Sequence, residues 1–91
     1  MDILFSMNPP LADHIAQCIK FFRHAKGLTQ EELANKSALD RTYISGVERG
    51  VRNITLNSLE RIIAALDIEK SMFFKRLIES FSNDTDFNLG N

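Results

Sequence analysis

The sequence predicts an all-α fold of five short helices, on three observations. Apolar residues recur at spacings of three and four in separate blocks, the pattern of helices with one buried face. Capping residues open these blocks, and glycines close two of them. No stretch alternates apolar and polar residues long enough to read as a strand, and there is neither an internal repeat nor a glycine-rich phosphate loop.

Asn8-Pro9-Pro10 offers an N-cap followed by proline, where the first helical amides have no partner to lose. Leu11, Ile15, Cys18, Ile19, Phe22 and Ala25 then form the stripe of a first helix, which Gly27 ends as a left-handed cap. Thr29-Gln30-Glu31-Glu32 is a capping box: the Thr29 hydroxyl accepts from the Glu32 amide while the Glu32 carboxylate reaches back. A short second helix follows, with Leu33 and Ala34 inward, ending near Lys36-Ser37. Asp40 caps a third helix over 41–49, with Ile44 and Val47 inward and Leu39 just ahead of it. Arg41, Thr42 and Ser45 lie on its other side, and Gly50 ends it. After a linker at 51–54, Thr55 or Asn57 caps a fourth helix whose buried stripe is Leu59, Ile62, Ile63 and Leu66. Ser71 caps a fifth over 72–82. The domain therefore spans 10–82, with the helix-turn-helix region at about 29–50 and the last helix at about 71–82. Residues 1–9 form an extension that either adds to a subunit contact or stays loose, and residues 83–91 read as a flexible polar tail.

Ninety-one residues make one small domain with a modest core, so oligomerisation is expected. Hydrophobic content of 44% with 25% charged residues excludes wholesale disorder. The single cysteine, Cys18, cannot form an internal disulfide and fits a reducing cytosol. No apolar run is long enough for a membrane span, and the start lacks the basic region of a signal peptide. The expected location is the bacterial cytoplasm, at the nucleoid. The net charge of −1 divides unevenly: residues 20–52 carry seven basic and four acidic residues, a balance of +3, and the rest carry −4. Such segregation points to one face for a polyanion.

Two very short helices joined by a three- to four-residue turn are the arrangement of a helix-turn-helix DNA reader. A helix of about ten residues held outward by a neighbour fits a major groove about 12 Å wide. Its outward side chains must donate to base edges and phosphates, and here Arg41, Thr42, Tyr43, Ser45 and Arg49 form a donor-rich set.

The stretch KGLTQEELANKSALDRTYISGVERGVRNITLNSLERIIAAL resembles the helix-turn-helix domain of the lambda repressor and Cro family. The likeness rests on Gly27, Leu28, Thr29-Gln30, Leu33-Ala34, Ile44-Ser45, Glu48 and Gly50, and covers roughly residues 10–80. More narrowly, LDRTYISGVERGVRNITLNSLE is similar to the controller proteins of restriction–modification systems. The resemblance implies a lambda-repressor-like five-helix domain that dimerises through its C-terminal helix and binds a pseudo-palindromic operator near its own promoter. Such controllers activate their own gene and the endonuclease gene at low occupancy, and repress when a second dimer joins.

Each candidate residue has a plainer alternative. Arg41 and Thr42 open the third helix, where an arginine can donate twice to guanine; the alternative is a solvated arginine where the helix dipole disfavours it. Tyr43 either touches a thymine methyl or a phosphate, or covers the helix edge. Ser45 faces the groove or bonds back to its own chain. Gln30 sits in the first turn of the second helix, where amides attract phosphate, and the resemblance implies phosphate contact there. Arg49, Arg52 and Asn53 can clamp backbone beyond the third helix, Arg52 also in a narrow minor groove; Lys26 and Lys36 are lesser phosphate candidates. Gly46, a poor helix former, reads as a packing residue at a close approach to the second helix. By resemblance, Arg23 and Glu48 form a partly buried ion pair between the first and third helices. Met72, Phe73, Phe74, Leu77, Ile78 and Phe81 are more apolar surface than one helix buries internally, so something must cover part of it; the resemblance implies that Phe74, Leu77, Ile78 and Phe81 meet the twofold mate, with Phe73 in the core. Glu31, Glu32 and Asp40 serve as helix caps, or the glutamates meet the sigma subunit of RNA polymerase.

Cys18 reads as core. His14 and His24 have no carboxylate or thiol at metal spacing, so neither a metal nor any cofactor is expected. No Ser–His–Asp or Cys–His pairing has the pocket that a nucleophile needs, so an enzyme is not expected. The competing functions are an antitoxin or phage-type repressor of the same fold, and a helical adaptor that has lost DNA binding. Genome context separates the first, and a gel shift on promoter-proximal DNA separates the second.

Overall fold

The computed structural model describes residues 10–89, with side chains described through residue 81. The described residues form helices α1 (Leu11–Ala25), α2 (Gln30–Ser37), α3 (Arg41–Glu48), α4 (Leu56–Ala65) and α5 (Lys70–Leu89), with no strand among them. The all-α class and the order of elements agree with the sequence reading. The expected Asn8 and Pro9 cap, and the whole 1–9 extension, lie outside the described residues.

Local chemistry sets most helix ends. Gly27 follows α1 at φ +70, a conformation cheap only without a Cβ. The capping box ahead of α2 is complete, with Glu32 N donating to Thr29 Oγ1 at 3.0 Å and Thr29 N donating to Glu32 Oε1 at 2.9 Å. Of the two candidate caps for α4, Thr55 takes the role, accepting from Ser58 N at 3.0 Å.

Both ends of α5 differ from the sequence reading. Its first amide bond runs from Met72 N to the Glu69 carbonyl at 3.0 Å, so Ser71 lies inside the first turn and does not cap it. The helix also continues to Leu89, past the expected end at Ser82 and through part of the segment read as tail. Most of those residues are polar, but they include no proline or glycine until Gly90, so nothing local breaks the backbone ladder.

One apolar cluster holds the helices together. Ile19, Phe22, Leu33, Ile44, Val47, Ile62, Leu66 and Phe73 are buried in it, and Cys18 joins them. α2 packs on α3 and α4, while α1 packs on α3 and α5. In the α1 stripe the end residues Leu11 and Ala25 stay exposed, and Ala16 is buried instead. His14 is buried between α1 and α5: its Nδ1 lies 3.0 Å from Ser80 Oγ, and its ring lies 4.4 Å from that of Phe81. Because Ser80 Oγ gives its own proton to the Leu77 carbonyl at 2.6 Å, the bond with His14 runs from Nδ1–H to Oγ.

Candidate nucleic-acid interface

Ile44 and Val47, buried in the core, fix the rotation of α3 about its axis. Arg41 and Thr42 in its first turn are therefore exposed, Ser45 is half-buried one turn on, and Arg49 is exposed at the C-cap. A three-residue turn, Ala38, Leu39 and Asp40, separates α2 from α3. Ala38 takes a left-handed conformation at φ 59, and its carbonyl accepts from Arg61 Nη2 at 3.1 Å. Asp40 stands at the N-cap of α3, but its side chain makes no capping bond. Its contribution is the backbone carbonyl, which accepts from Ile44 N at 3.0 Å.

The far end of α3 is fastened by charge. Glu48, the last residue of α3, has a side chain only 2% exposed. Arg23, in the last turn of α1, donates to it twice, from Nε to Oε2 at 2.6 Å and from Nη2 to Oε1 at 2.9 Å. Arg23 Nη1 also donates to the Leu28 carbonyl at 2.8 Å. Gln30, the first residue of α2, donates from Nε2 to Glu48 Oε1 at 3.1 Å. The group at the phosphate-attracting end of α2 is thus oriented by the same carboxylate that anchors α3.

The linker after α3 folds back along one flank of that helix. Val51 N donates to the Gly46 carbonyl at 3.0 Å, and Tyr43 Oη donates to the Asn53 carbonyl at 3.4 Å. The Arg52 guanidinium carbon lies 5.4 Å from the centre of the Tyr43 ring. A Cβ on Gly46 would stand 2.9 Å from Arg52 Cγ, so the close approach at Gly46 is to the Arg52 stem and not to α2 as the sequence reading had it. Gly50 makes a second close approach, where a Cβ would meet Asp13 Oδ1 of α1 at 2.5 Å.

The remaining candidates are spread more widely. Asn53 and Lys36 are exposed, Lys36 in the last turn of α2. Lys26 turns to the α4–α5 connection, donating from Nζ to the Asp67 carbonyl at 3.3 Å. Glu32 is committed to the capping box, whereas Glu31 is exposed beside it. On α5, Phe74, Ile78 and Phe81 are 43%, 62% and 37% exposed. Leu77, grouped with them in the sequence reading, is 7% exposed and belongs to the intramolecular core. It shares the inward face of α5 with Phe73 one turn earlier, and that face is taken by α1.

The family description Helix-turn-helix matches residues 19–73. The chain belongs to the helix-turn-helix family. Among solved structures, this helix-turn-helix chain is similar to the restriction–modification controller protein C.Esp1396I: 47% identical, covering 81% of this chain and 97% of that one, with a TM-score of 0.79. The same controller has been solved as a tetramer in complex with its natural 35 base-pair operator. Variants of it with an arginine, a threonine or a tyrosine replaced, three consecutive positions, have also been solved; this chain contains that triplet once, at Arg41-Thr42-Tyr43. Control protein C.MunI of Mycoplasma sp is 44% identical over 55 residues, 60% of this chain and 74% of that protein. A hypothetical transcription factor of Neisseria meningitidis is 48% identical over 54 residues, 59% of this chain and 51% of that protein. The chain spans about half the length of the first curated relatives it matches.

Two relationships at the helix-turn-helix surface had no signal in the sequence. Arg61 holds the Ala38 carbonyl from 23 residues away, and the fit of Arg52 against Gly46 depends on how the linker folds. Neither follows from periodicity or capping. Among the described residues no group of three His, Cys, Asp or Glu could hold a metal ion, and no helix is long and apolar enough to cross a membrane.

Proposed function

We propose that this chain is a homodimeric transcription regulator of the restriction–modification controller type, reading a pseudo-palindromic operator with α3 in the major groove. The observation that carries the reading is the outward face of α3: exposed Arg41 and Thr42 on a helix whose far end is pinned through Glu48. A donor held on a locked element reaches a base edge without first losing conformational freedom. The likeness to a controller solved on its operator supports the same reading.

In this reading Arg41, Thr42, Tyr43 and Ser45 meet base edges. Gln30, Arg49, Arg52, Asn53 and Lys36 meet phosphates, with Lys26 joining once it leaves the Asp67 carbonyl. Phe74, Ile78 and Phe81 face the twofold mate. Occupancy by one dimer activates and by two represses, and Glu31 is the acidic residue left for contact with RNA polymerase at the nucleoid.

Footprinting the DNA upstream of the chain's own coding sequence, across a protein titration, tests it. Protection of paired half-sites about one helical turn, ~34 Å, apart is the expected result. Protection of equal depth on unrelated DNA overturns it.

A further inference from the structure

The Val51 amide closes α3 on the Gly46 carbonyl, as the Leu28 and Leu39 amides close α1 and α2. Beyond that cap, three contacts converge on the 43–46 flank of α3: the Arg52 stem against Gly46, the Arg52 guanidinium beside the Tyr43 ring, and the Tyr43 hydroxyl on the Asn53 carbonyl. Tyr43 and Gly46 are three apart and so share a helix face. Gly46 leaves that face without a side chain, and the Arg52 stem occupies the space a Cβ would take.

Glycine is costly inside a short helix, because it brings the largest loss of backbone freedom. Gly46 is buried in α3, at an ordinary helical position with no positive φ to require it. What distinguishes the site is the 2.9 Å clearance to Arg52 Cγ, shorter than carbon–carbon contact allows for a methyl group. An alanine there would push the Arg52 side chain outward and carry its guanidinium away from Tyr43.

We propose that Gly46 is a specificity-determining positioning residue: it seats the Arg52 side chain so that Tyr43 and Arg52 form one preformed unit of the DNA-reading surface. This rests on the proposed DNA-reading function, and it adds a role for a residue that touches no DNA itself. A long arginine loses much rotamer freedom when it is fixed on binding. Seating it against Gly46 and Tyr43 in the free protein moves that loss into folding. The seat also couples Tyr43 to Arg52, so base-edge and backbone contacts on this flank are gained or lost together.

The test uses the full chain, a duplex from upstream of its own coding sequence, and a random duplex of equal length. Gly46→Ala and Arg52→Ala are each expected to weaken upstream-duplex binding by a similar factor, on the order of ten-fold. The double variant is expected to bind no worse than Arg52→Ala alone, because both changes remove the same unit. In the free protein, the Arg52 side-chain methylene NMR signals are expected upfield from the Tyr43 ring current, and at ordinary positions in both Gly46→Ala and Tyr43→Leu. Arg52→Lys leaves α3 untouched and keeps the charge, yet is expected to weaken binding nearly as much as Arg52→Ala, since a compact ammonium lacks the planar fork of donors that the seat holds beside Tyr43. That variant keeps the proposal falsifiable if Gly46→Ala does not fold.

Wild-type affinity in Gly46→Ala, additive losses in the double variant, or wild-type affinity in Arg52→Lys each overturn the role of the seat. Unchanged Arg52 signals in a folded Gly46→Ala protein overturn it without reference to DNA. Failure of the wild-type chain to prefer the upstream duplex over the random one overturns the DNA-reading function, and this role with it. The NMR comparison tells the two failures apart.

Discussion

Arg23 and Glu48 form a two-pronged ion pair, Nε to Oε2 at 2.6 Å and Nη2 to Oε1 at 2.9 Å, with side chains only 10% and 2% exposed. The pair joins the last turn of α1 to the last residue of α3, and Gln30 adds a third donor from the start of α2. Three helices are thereby referenced to one carboxylate, beside the surface proposed to read DNA.

Removing one partner leaves the other charge buried. Arg23→Ala is expected to lower unfolding free energy by about 3–5 kcal/mol, because the Glu48 carboxylate keeps only the Gln30 amide as donor among those described. Urea denaturation measures it. A loss below about 1 kcal/mol would place the pair among solvent-screened surface pairs, against the burial seen.

Gln30 and Arg41 should separate in what they do to DNA binding. Arg41→Ala is expected to cost about 1–3 kcal/mol on the operator and to relax base preference at one position per half-site. Gln30→Ala is expected to weaken all sequences alike, since a phosphate contact carries no base information. Competition binding over a set of single-base operator variants distinguishes them, and a sequence-selective effect of Gln30→Ala would assign that residue to base reading instead.

Adjacent residues of α5 should behave in opposite ways. Leu77→Ala creates a hole in the core and is expected to destabilise the fold by about 2–5 kcal/mol. Ile78→Glu, at a position 62% exposed, is expected to leave the subunit folded and to shift sedimentation from dimer to monomer. A dimeric Ile78→Glu protein at micromolar concentration would move the twofold contact off this face.

Burial pushes the Cys18 thiol above its ordinary value of 9.0, partly offset by the Arg76 guanidinium. The folded chain therefore keeps a proton that the unfolded chain releases. The contribution is complete below pH 9.0, and stability is lost as pH rises from there through the folded-state value. Urea midpoints between about pH 8 and pH 10 should fall more steeply for the wild type than for Cys18→Ala. Equal slopes would show that the thiol titrates alike in both states. The native thiol should also resist alkylation until the chain unfolds, since it is 2% exposed.

Features whose decisive interaction spans three or four residues are legible in the sequence. The Thr29–Glu32 capping box, the left-handed Gly27, the end of α3 at Gly50, and the inward pairs Leu33–Ala34 and Ile62–Ile63 are of this kind. Orientation is not legible where two neighbouring residues compete for one direction. Apolar residues at 72, 73, 74, 77, 78 and 81 cover most of the circumference of α5, so periodicity does not say which face meets α1. Asp40 illustrates the same limit on a smaller scale: its type predicts a capping carboxylate, while its backbone carbonyl makes the bond.

By itself, the order of residues determined five helices, their inward stripes and a donor-rich third helix, because backbone propensity, capping and helical repeat all act over a few neighbours. Only the packed chain decided that Leu77 is core and Ile78 surface, that Lys26 reaches Asp67, and that Arg52 lies in the space left by Gly46. Those outcomes depend on which volumes are already filled by segments distant in sequence, and close packing permits one occupant for each.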